Sequence, residues 1–173
     1  IASVTDNGAD VTNSIADNSD DTYTYTTAAV TENHIIPVIF AIDTFTITAT
    51  TDSHGTITPS GDIMINYGDN QTFTVTPDTG YHILDVTVDG TSQGSITTYT
   101  FESVKADHTI SVMFEIDTHT LNITVSGNGS VTKNPDQANY DYNTAVTLTT
   151  TPNTGWHFVG WSGGATGTDN PLT

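Results

Sequence analysis

The stretch TPDTGYHILDV at residues 76–86 recurs as TPNTGWHFVGW at residues 151–161. In both copies Pro and Gly set a turn, and an aromatic residue followed by His comes next. A position that recurs at a fixed period usually serves a repeated module, whereas a unique active site has no reason to recur. The repetition therefore predicts a structural repeat and argues against a single catalytic loop.

The match extends in both directions from this turn. TFTITATTDSHGTITPSG from Thr44 matches THTLNITVSGNGSVTKNP from Thr118, and TYTFESVKADHTISVMFEID from Thr98 matches TYTTAAVTENHIIPVIFAID from Thr24. These matches predict the back half of one repeat in residues 1–43, a complete repeat in residues 44–117 and the front part of a third in residues 118–173. The Asp-rich stretch DNGADVTNSIADNSDD at residues 6–21 lengthens the first segment and is predicted to be an elongated loop.

The local pattern indicates strands throughout. Apolar residues alternate with polar ones, mostly Thr, in TFTITAT (44–50), HTISVMF (108–114) and LNITV (121–125). Period 2 is typical of a strand with one buried face, and turn residues punctuate the chain every ~8–12 positions. We therefore expect an all-β fold of tandem small antiparallel modules, β-grasp-like or sandwich-like, in an elongated array. Modules of ~75 residues are marginal alone, so neighbouring modules are expected to support each other.

Composition excludes several classes of function. The chain carries 20 acidic residues against Lys105 and Lys133, for a net charge of −18. This field repels nucleic acid and opposes docking on anionic lipid. The longest apolar run, residues 35–42, is far shorter than the ~20 residues of a membrane span. The absence of Cys excludes disulfides and thiolate zinc sites.

The repeat resembles the divergent InlB B-repeat family of bacterial and archaeal surface proteins. The resemblance rests on GTITPSG, TFTVTPDTGYHILDVTVDG and YTFESVKADHTISVMF in the second segment, and on GNGSVTKNPD and TPNTGWHFVGWSGGATGTDNP in the third. It covers nearly the whole chain apart from the Asp-rich stretch. It implies a compact β fold of β-grasp type, an extracellular location at the cell surface, a stalk or adhesive role, and no catalytic residues.

The expected function is that of a non-enzymatic structural repeat protein, as a stalk, fibre or surface-layer component. Its expected partners are copies of itself or neighbouring repeats. Because the chain opens and closes in mid-repeat, one expectation is a filament subunit in which one copy completes the strands of the next. An excerpt from a longer repeat array, or a permuted fold unit, is the alternative to that filament.

The rival function is that of an adhesin or carbohydrate-binding module with surface glycans as partners. On this hypothesis, sugars stack on a platform of four aromatic residues, Tyr67, Tyr81, Trp156 and Trp161. In the structural reading Tyr81 and Trp156, which are equivalent in the repeat, pack the module core.

Few residues suggest a ligand or modification site. Asp17, Ser19 and Asp21 have the alternate spacing of calcium loops, although the Gly and terminal Glu of an EF-hand are missing. A solvated acidic loop is the alternative, and no other cofactor is expected. Asn70, Asn122 and Asn128 begin sequons and are glycosylation candidates. No His spacing suggests zinc, and no Gly-x-Ser-x-Gly elbow suggests a hydrolase, so we expect no enzymatic activity.

Overall fold

The computed structural model describes residues 3–19, 22–27 and 29–173. Within these residues there are β-strands and one short 3₁₀ helix, Thr12–Ser14, but no α-helix. The prediction of an all-β fold built from small, mostly antiparallel sheets is therefore confirmed.

The N-terminal segment (residues 3–43) contains short strands. They are β1 (Ser3–Asp6), β2 (Ala9–Asp10), β3 (Ala16–Asp17), β4 (Tyr23–Thr24) and β5 (Val38–Ile39). β1 pairs with both β2 and β5, and β3 pairs with β4, all antiparallel. The Asp-rich stretch is thus not one elongated loop, because it contains β2, the 3₁₀ helix and β3.

The central segment (residues 44–117) contains two sheets. Its strands are β6 (Thr44–Thr51), β7 (Gly55–Thr58), β8 (Gly61–Asn66), β9 (Gln71–Pro77), β10 (Tyr81–Val88), β11 (Thr91–Ser92), β12 (Thr98–Phe101) and β13 (His108–Ile116). One sheet has the order β11-β10-β13-β6-β8, and the other has the order β12-β9-β7. The pairing of β13 with β6 is parallel, while the other pairings are antiparallel.

The two sheets of the central segment share one hydrophobic core. Every second residue of β13 is buried, and the same alternation holds in β9, so each sheet turns one face inward. The side chains with the least exposure are Phe73, Ile47, Ile110, Val86 and Val104. Val104 comes from the loop between β12 and β13 and closes one end of the core. This arrangement is sandwich-like rather than helix-backed.

The N-terminal segment reproduces the strand pairing of the second half of the central segment. Thr5 pairs with Asp10 as Thr87 pairs with Ser92, at equivalent repeat positions. The pairing of β1 with β5 likewise repeats that of β10 with β13. Its apolar residues are covered less completely, however: among the described residues of this segment only Val4 is a buried apolar residue, and Phe40 is 83 % exposed whereas its equivalent Phe114 is 6 % exposed.

The C-terminal segment (residues 118–173) reproduces the pairing of the first half. Its strands are β14 (Thr118–His119), β15 (Gly129–Asn134), β16 (Tyr140–Asp141) and β17 (Thr147–Pro152). β14 pairs with β16 as β6 pairs with β8, and β15 pairs with β17 as β7 pairs with β9.

The strand predicted at residues 121–125 is not formed. Its equivalent in the central segment is the part of β6 that runs between β8 and β13. In the described part of the C-terminal segment no strand takes the place of β13. Alternating residues alone do not make a strand when the ladder partner on one side is missing.

Candidate functional site

The most specific contact between segments joins the central and C-terminal segments. Asp117 donates its backbone N–H to the Gly80 carbonyl at 2.8 Å and accepts the Tyr142 N–H on its own carbonyl at 2.7 Å. The Tyr142 ring lies against Gly80, where a Cβ would overlap it. We call this set of residues, Gly80, Asp117 and Tyr142, the junction.

Two histidines border the junction. His82 Nδ1 lies 2.8 Å from Asp117 Oδ1, which ties the start of β10 to the end of β13. The His119 ring lies 6.2 Å from the Tyr142 ring, between centroids. Residue 80 must be a glycine, because its φ is +82° and the Tyr142 ring occupies the space where a Cβ would stand.

A second histidine–carboxylate contact fixes the β10–β11 turn. His108 Nδ1 lies 2.7 Å from Asp89 Oδ2, and Asp89 Oδ1 accepts the Thr109 N–H at 2.7 Å. Burial opposes ionisation of Asp89, but the hydrogen bonds from the Thr109 N–H and from His108 outweigh it and lower the pKa of the Asp89 carboxyl. These contacts hold β13 against the turn, so the role of His108 is structural.

A similar arrangement occurs beside the equivalent turn of the N-terminal segment, where two neighbouring residues, Asp6 and Asn7, share the bonds that Asp89 makes alone. His34 Nδ1 lies 2.7 Å from Asp6 Oδ1, and Asn7 Oδ1 accepts the Ile35 N–H at 3.1 Å. Tyr25 also donates to Asp6, at 3.0 Å. Desolvation and the hydrogen bond to Asp6 raise the pKa of Tyr25. Because the Asp6 carboxylate is already bonded to two side chains, Tyr25 and His34, it stabilises the turn and is not positioned as a free group for binding a substrate.

Two other carboxylates, Asp52 and Asp85, also accept hydrogen bonds that hold strands and turns in place. Asp52 bridges the ends of β6 and β13, and the hydrogen bond from the Phe114 N–H lowers the pKa of the Asp52 carboxyl. Asp85 accepts the Ser92 hydroxyl at 2.7 Å, and this bond lowers the pKa of the Asp85 carboxyl. Carboxylates stabilised in their charged form are suited to holding loops and unsuited to acting as general acids at neutral pH.

The apolar segment at residues 35–42, which contains β5, is exposed. Ile35 is 73 % exposed, Ile39 is 60 % exposed and Phe40 is 83 % exposed. β5 pairs with β1 on one side only, whereas its equivalent β13 is paired on both sides. An apolar strand with an open edge is a template for pairing with another strand.

The C-terminal segment has a groove where the complete segment has its core. Val125, Val131, Trp156, Phe158 and Trp161 line it together with backbone of β15 and β17. Trp156 is 55 % exposed and Val125 is 47 % exposed. The expectation that Trp156 packs a core is therefore wrong in this segment, because none of the strands that the structure describes covers it. Its equivalent Tyr81 does pack against the core and stacks on His54 at 4.3 Å.

The proposed sugar platform is not brought together as a single surface. Trp156 and Trp161 share the groove of the C-terminal segment. Tyr81 packs against the central core, and Tyr67 lies beside Phe45, at 6.3 Å between ring centroids. The four aromatic residues thus fall in different parts of the molecule, and only the two Trp residues line a common depression.

The calcium candidate is partly described. Asp17 ends β3, and its Oδ1 accepts the Ser19 N–H at 2.8 Å. Asp21 lies outside the described residues. Among the residues that the structure describes, no group of three or more His, Asp or Glu side chains is placed to hold a metal ion. Calcium binding at Asp17, Ser19 and Asp21 stays a prediction, and calorimetric titration with Ca²⁺ measures it directly.

The three glycosylation candidates lie on the surface. Asn70, Asn122 and Asn128 are all exposed. The Asn70 side-chain carbonyl accepts the Ser103 N–H at 2.7 Å, while Asn122 lies outside the strands. Glycosylation at these residues stays a prediction, which the intact mass of the native protein tests.

Within the described residues, no helix has the length and apolar character to cross a bilayer.

The junction was not anticipated from the sequence, although a signal for it was present. Gly80 and Gly155 recur at equivalent positions, as do Tyr67 and Tyr142. A Tyr that recurs at the same distance from a recurring Gly is also what a repeated contact between modules requires.

Comparison with known proteins agrees with the repeated architecture. The divergent InlB B-repeat domain matches residues 45–118 and again residues 119–173. Together these two matches cover most of the chain. No curated protein and no solved structure matches this sequence.

Proposed function

The chain belongs to the divergent InlB B-repeat family, and from that premise we propose that it is a non-enzymatic structural repeat protein of the cell surface. Its role is that of a stalk, fibre or surface-layer component. The observation that carries the proposal is the recurrence of the same strand pairings from one segment to the next, with an equivalent histidine bonded to a carboxylate beside the same turn. Contacts that recur in this way serve architecture. The proposed repeat boundaries are residues 1–43, 44–117 and 118–173.

We further propose that the incomplete segments are completed by strand exchange between copies. The exposed apolar segment at residues 35–42 of one copy, which contains β5, would enter the groove of the C-terminal segment of another. In the central segment β13 occupies this place, parallel to β6, with His108 opposite Ile47 and Val112 opposite Thr51. Moved by one repeat, that register sets His34 of one copy opposite Leu121 of the next.

Packing supports the same placement. The Phe114 ring covers Gly55, where a Cβ would overlap it. The equivalent residues are Phe40 in the N-terminal segment and Gly129 in the C-terminal segment. Phe40 of one copy would then cover Gly129 of another and lose its exposure to water. Burying a Phe side chain in this way contributes ~1.5–3 kcal/mol. A contact that joins two different surfaces of identical copies leaves one of each free at the ends, so copies add head to tail and form a filament unless the rotation between them closes a ring.

Sedimentation velocity and electron microscopy of the 173-residue chain test the strand exchange. We expect assemblies that lengthen with concentration. Phe40→Asp is expected to abolish them, because position 40 faces the groove as Phe114 faces the core. Ile39→Asp is the matched control, because Ile39 is equivalent to Met113, which is 55 % exposed on the outer face of β13. A chain that stays monomeric, or equal effects of the two variants, contradicts strand exchange.

An adhesin that binds glycans is a second candidate function, favoured by the exposure of Trp156 in a groove that also contains Trp161. An exposed indole offers a flat apolar face for stacking on a sugar ring. A glycan array probed with the chain and with Trp156→Ala tests it. Specific binding that Trp156→Ala removes supports the adhesin, and an array without a ligand excludes it for the glycans tested.

A further inference from the structure

The junction joins an aromatic face, with Asp117 and Tyr142, to the turn at Gly80. Equivalents of both parts are found elsewhere in the chain, at Asp43 and Tyr67 for the face and at Gly155 for the turn, but these two are not joined to each other. We propose that the face formed by Asp43, Phe45 and Tyr67 docks on the Gly155 turn of a second copy of this chain. This inference rests on the proposed structural role, but it does not require strand exchange.

The docking face is already assembled. Tyr67 donates its N–H to the Asp43 carbonyl at 2.8 Å, as Tyr142 donates to Asp117 at 2.7 Å. The Phe45 and Tyr67 rings are 6.3 Å apart, against 6.2 Å for His119 and Tyr142. A face that is held in its bound conformation before docking loses little conformational entropy on binding.

The receiving turn is also assembled. Gly155 has a φ of +83° and Gly80 a φ of +82°. The Trp156 N–H is bonded to the Asn153 carbonyl at 2.9 Å, as the Tyr81 N–H is bonded to that of Asp78 at 3.0 Å. The two turns differ in what covers them. Tyr142 lies against Gly80, whereas the space where a Cβ of Gly155 would stand is open.

The polar groups that would join Asp43 to Gly155 are not used elsewhere in the described residues. In the part of the chain that the structure describes, neither the Asp43 N–H nor the Gly155 carbonyl takes part in a hydrogen bond. Their equivalents, Asp117 and Gly80, are bonded to each other at 2.8 Å. His157 is exposed and stands where His82 reaches the side chain of Asp117. Docking would pair the Asp43 N–H with the Gly155 carbonyl and the Asp43 carboxylate with His157.

Charge and ring faces set the conditions for docking. Lys105 Nζ lies 5.6 Å from the centroid of the Tyr67 ring and occupies one of its faces, so Gly155 meets the other.

Each copy carries a net charge of −18, and the copies therefore repel each other at low salt. Screening by salt weakens this repulsion, so association through the junction is expected to strengthen as ionic strength rises.

Cysteine cross-linking tests the docking directly, since the natural chain has no Cys. Gly80→Cys with Tyr142→Cys in one chain is the positive control. The Tyr142 Cγ is 2.5 Å from the Cβ position of Gly80, which puts the two Cβ atoms within about 4 Å, as in a disulfide. Tyr67→Cys chains are mixed with Gly155→Cys chains and oxidised mildly at high salt, with covalent dimers measured by gel and mass spectrometry.

The matched negative control mixes Tyr67→Cys with Gly163→Cys. Gly163 also has a positive φ, of +97°, and open space at its Cβ position. We expect at least ten times more covalent dimer with Gly155→Cys than with Gly163→Cys. A yield equal to that of the control, while the Gly80→Cys and Tyr142→Cys pair closes, overturns the docking.

The outcomes separate this inference from strand exchange. Cross-linking that persists in a Phe40→Asp background supports the junction and does not depend on the exchanged strand. Assemblies that Phe40→Asp abolishes, but that give no Tyr67–Gly155 cross-link, overturn the junction.

Discussion

Asp52 and Phe114 are 62 residues apart in sequence, and Asp52 Oδ2 accepts the Phe114 backbone N–H at 2.9 Å. Asp52 also donates its own N–H to the Val112 carbonyl at 3.4 Å, and its Oδ1 accepts the His54 N–H at 3.0 Å. One side chain thus fixes the end of the parallel pair of β6 and β13 and the turn that follows β6.

Removing this carboxylate is expected to loosen the parallel pair. Asp52→Ala leaves the Phe114 N–H without its acceptor, and we expect a loss of about 1 kcal/mol, as for an ordinary hydrogen bond and less than for a bond to a buried charge, because Asp52 is exposed. Asp52→Asn keeps one acceptor oxygen and is expected to lose less. Urea unfolding and amide hydrogen exchange at Phe114 measure the effect. An unchanged exchange rate in Asp52→Ala contradicts the bridging role.

Acid is expected to destabilise the central segment. Hydrogen bonds lower the pKa values of Asp52, Asp85 and Asp89 in the folded chain. Their contribution is present above the unfolded pKa of about 3.9 and is lost as the pH falls through the folded values. The Tm is therefore expected to fall below about pH 4.

The net charge acts in the opposite direction, because acid also relieves the repulsion among carboxylates. The titration is therefore done in about 1 M salt, where the screening length is about 3 Å. Asp52→Asn combined with Asp85→Asn should give a shallower fall in Tm than the natural chain. Asp136→Asn, at a carboxylate that is 77 % exposed, is the control and should follow the natural chain. A Tm that rises steadily down to pH 3 contradicts the prediction.

Equivalent Phe residues are expected to differ in their effect on stability. Phe114→Ala empties a buried site and should cost ~3–5 kcal/mol. Phe40→Ala removes a side chain that is 83 % exposed and should change the stability of the monomer by less than about 0.5 kcal/mol. Denaturant unfolding at low protein concentration measures both. Similar losses in the two variants would mean that the N-terminal segment buries Phe40 in the monomer.

Gly55 is expected to tolerate no side chain. A Cβ there would overlap the Phe114 ring and lie 2.7 Å from the Thr76 carbonyl oxygen, which the pairing of β7 with β9 holds in place. Gly55→Ala should therefore cost about 1–3 kcal/mol through overpacking. Gly164→Ala, at a position with open space, is the control and should be nearly neutral. Thermal unfolding compares the two, and equal Tm values would refute the steric argument.

Two features of the fold could not be read from the sequence. The parallel pairing of β6 with β13 joins segments separated by most of a repeat, and alternation specifies which face of a strand is buried but not which strand is its neighbour. The residues 121–125 alternate as β6 does, yet they form no strand, because a ladder needs a partner and none of the described strands supplies it.

The sequence by itself determined the β class, the repeat and the family, because these depend on period 2, on turn residues and on motifs that neighbouring residues carry. The tertiary structure decided which equivalent residues are buried, as with Phe114 and Phe40, and which recurring residues meet, as with Gly80 and Tyr142. Burial and contact depend on which strands are present on the other side of a residue. For that reason the same motif packs a core in one segment and faces the solvent in another.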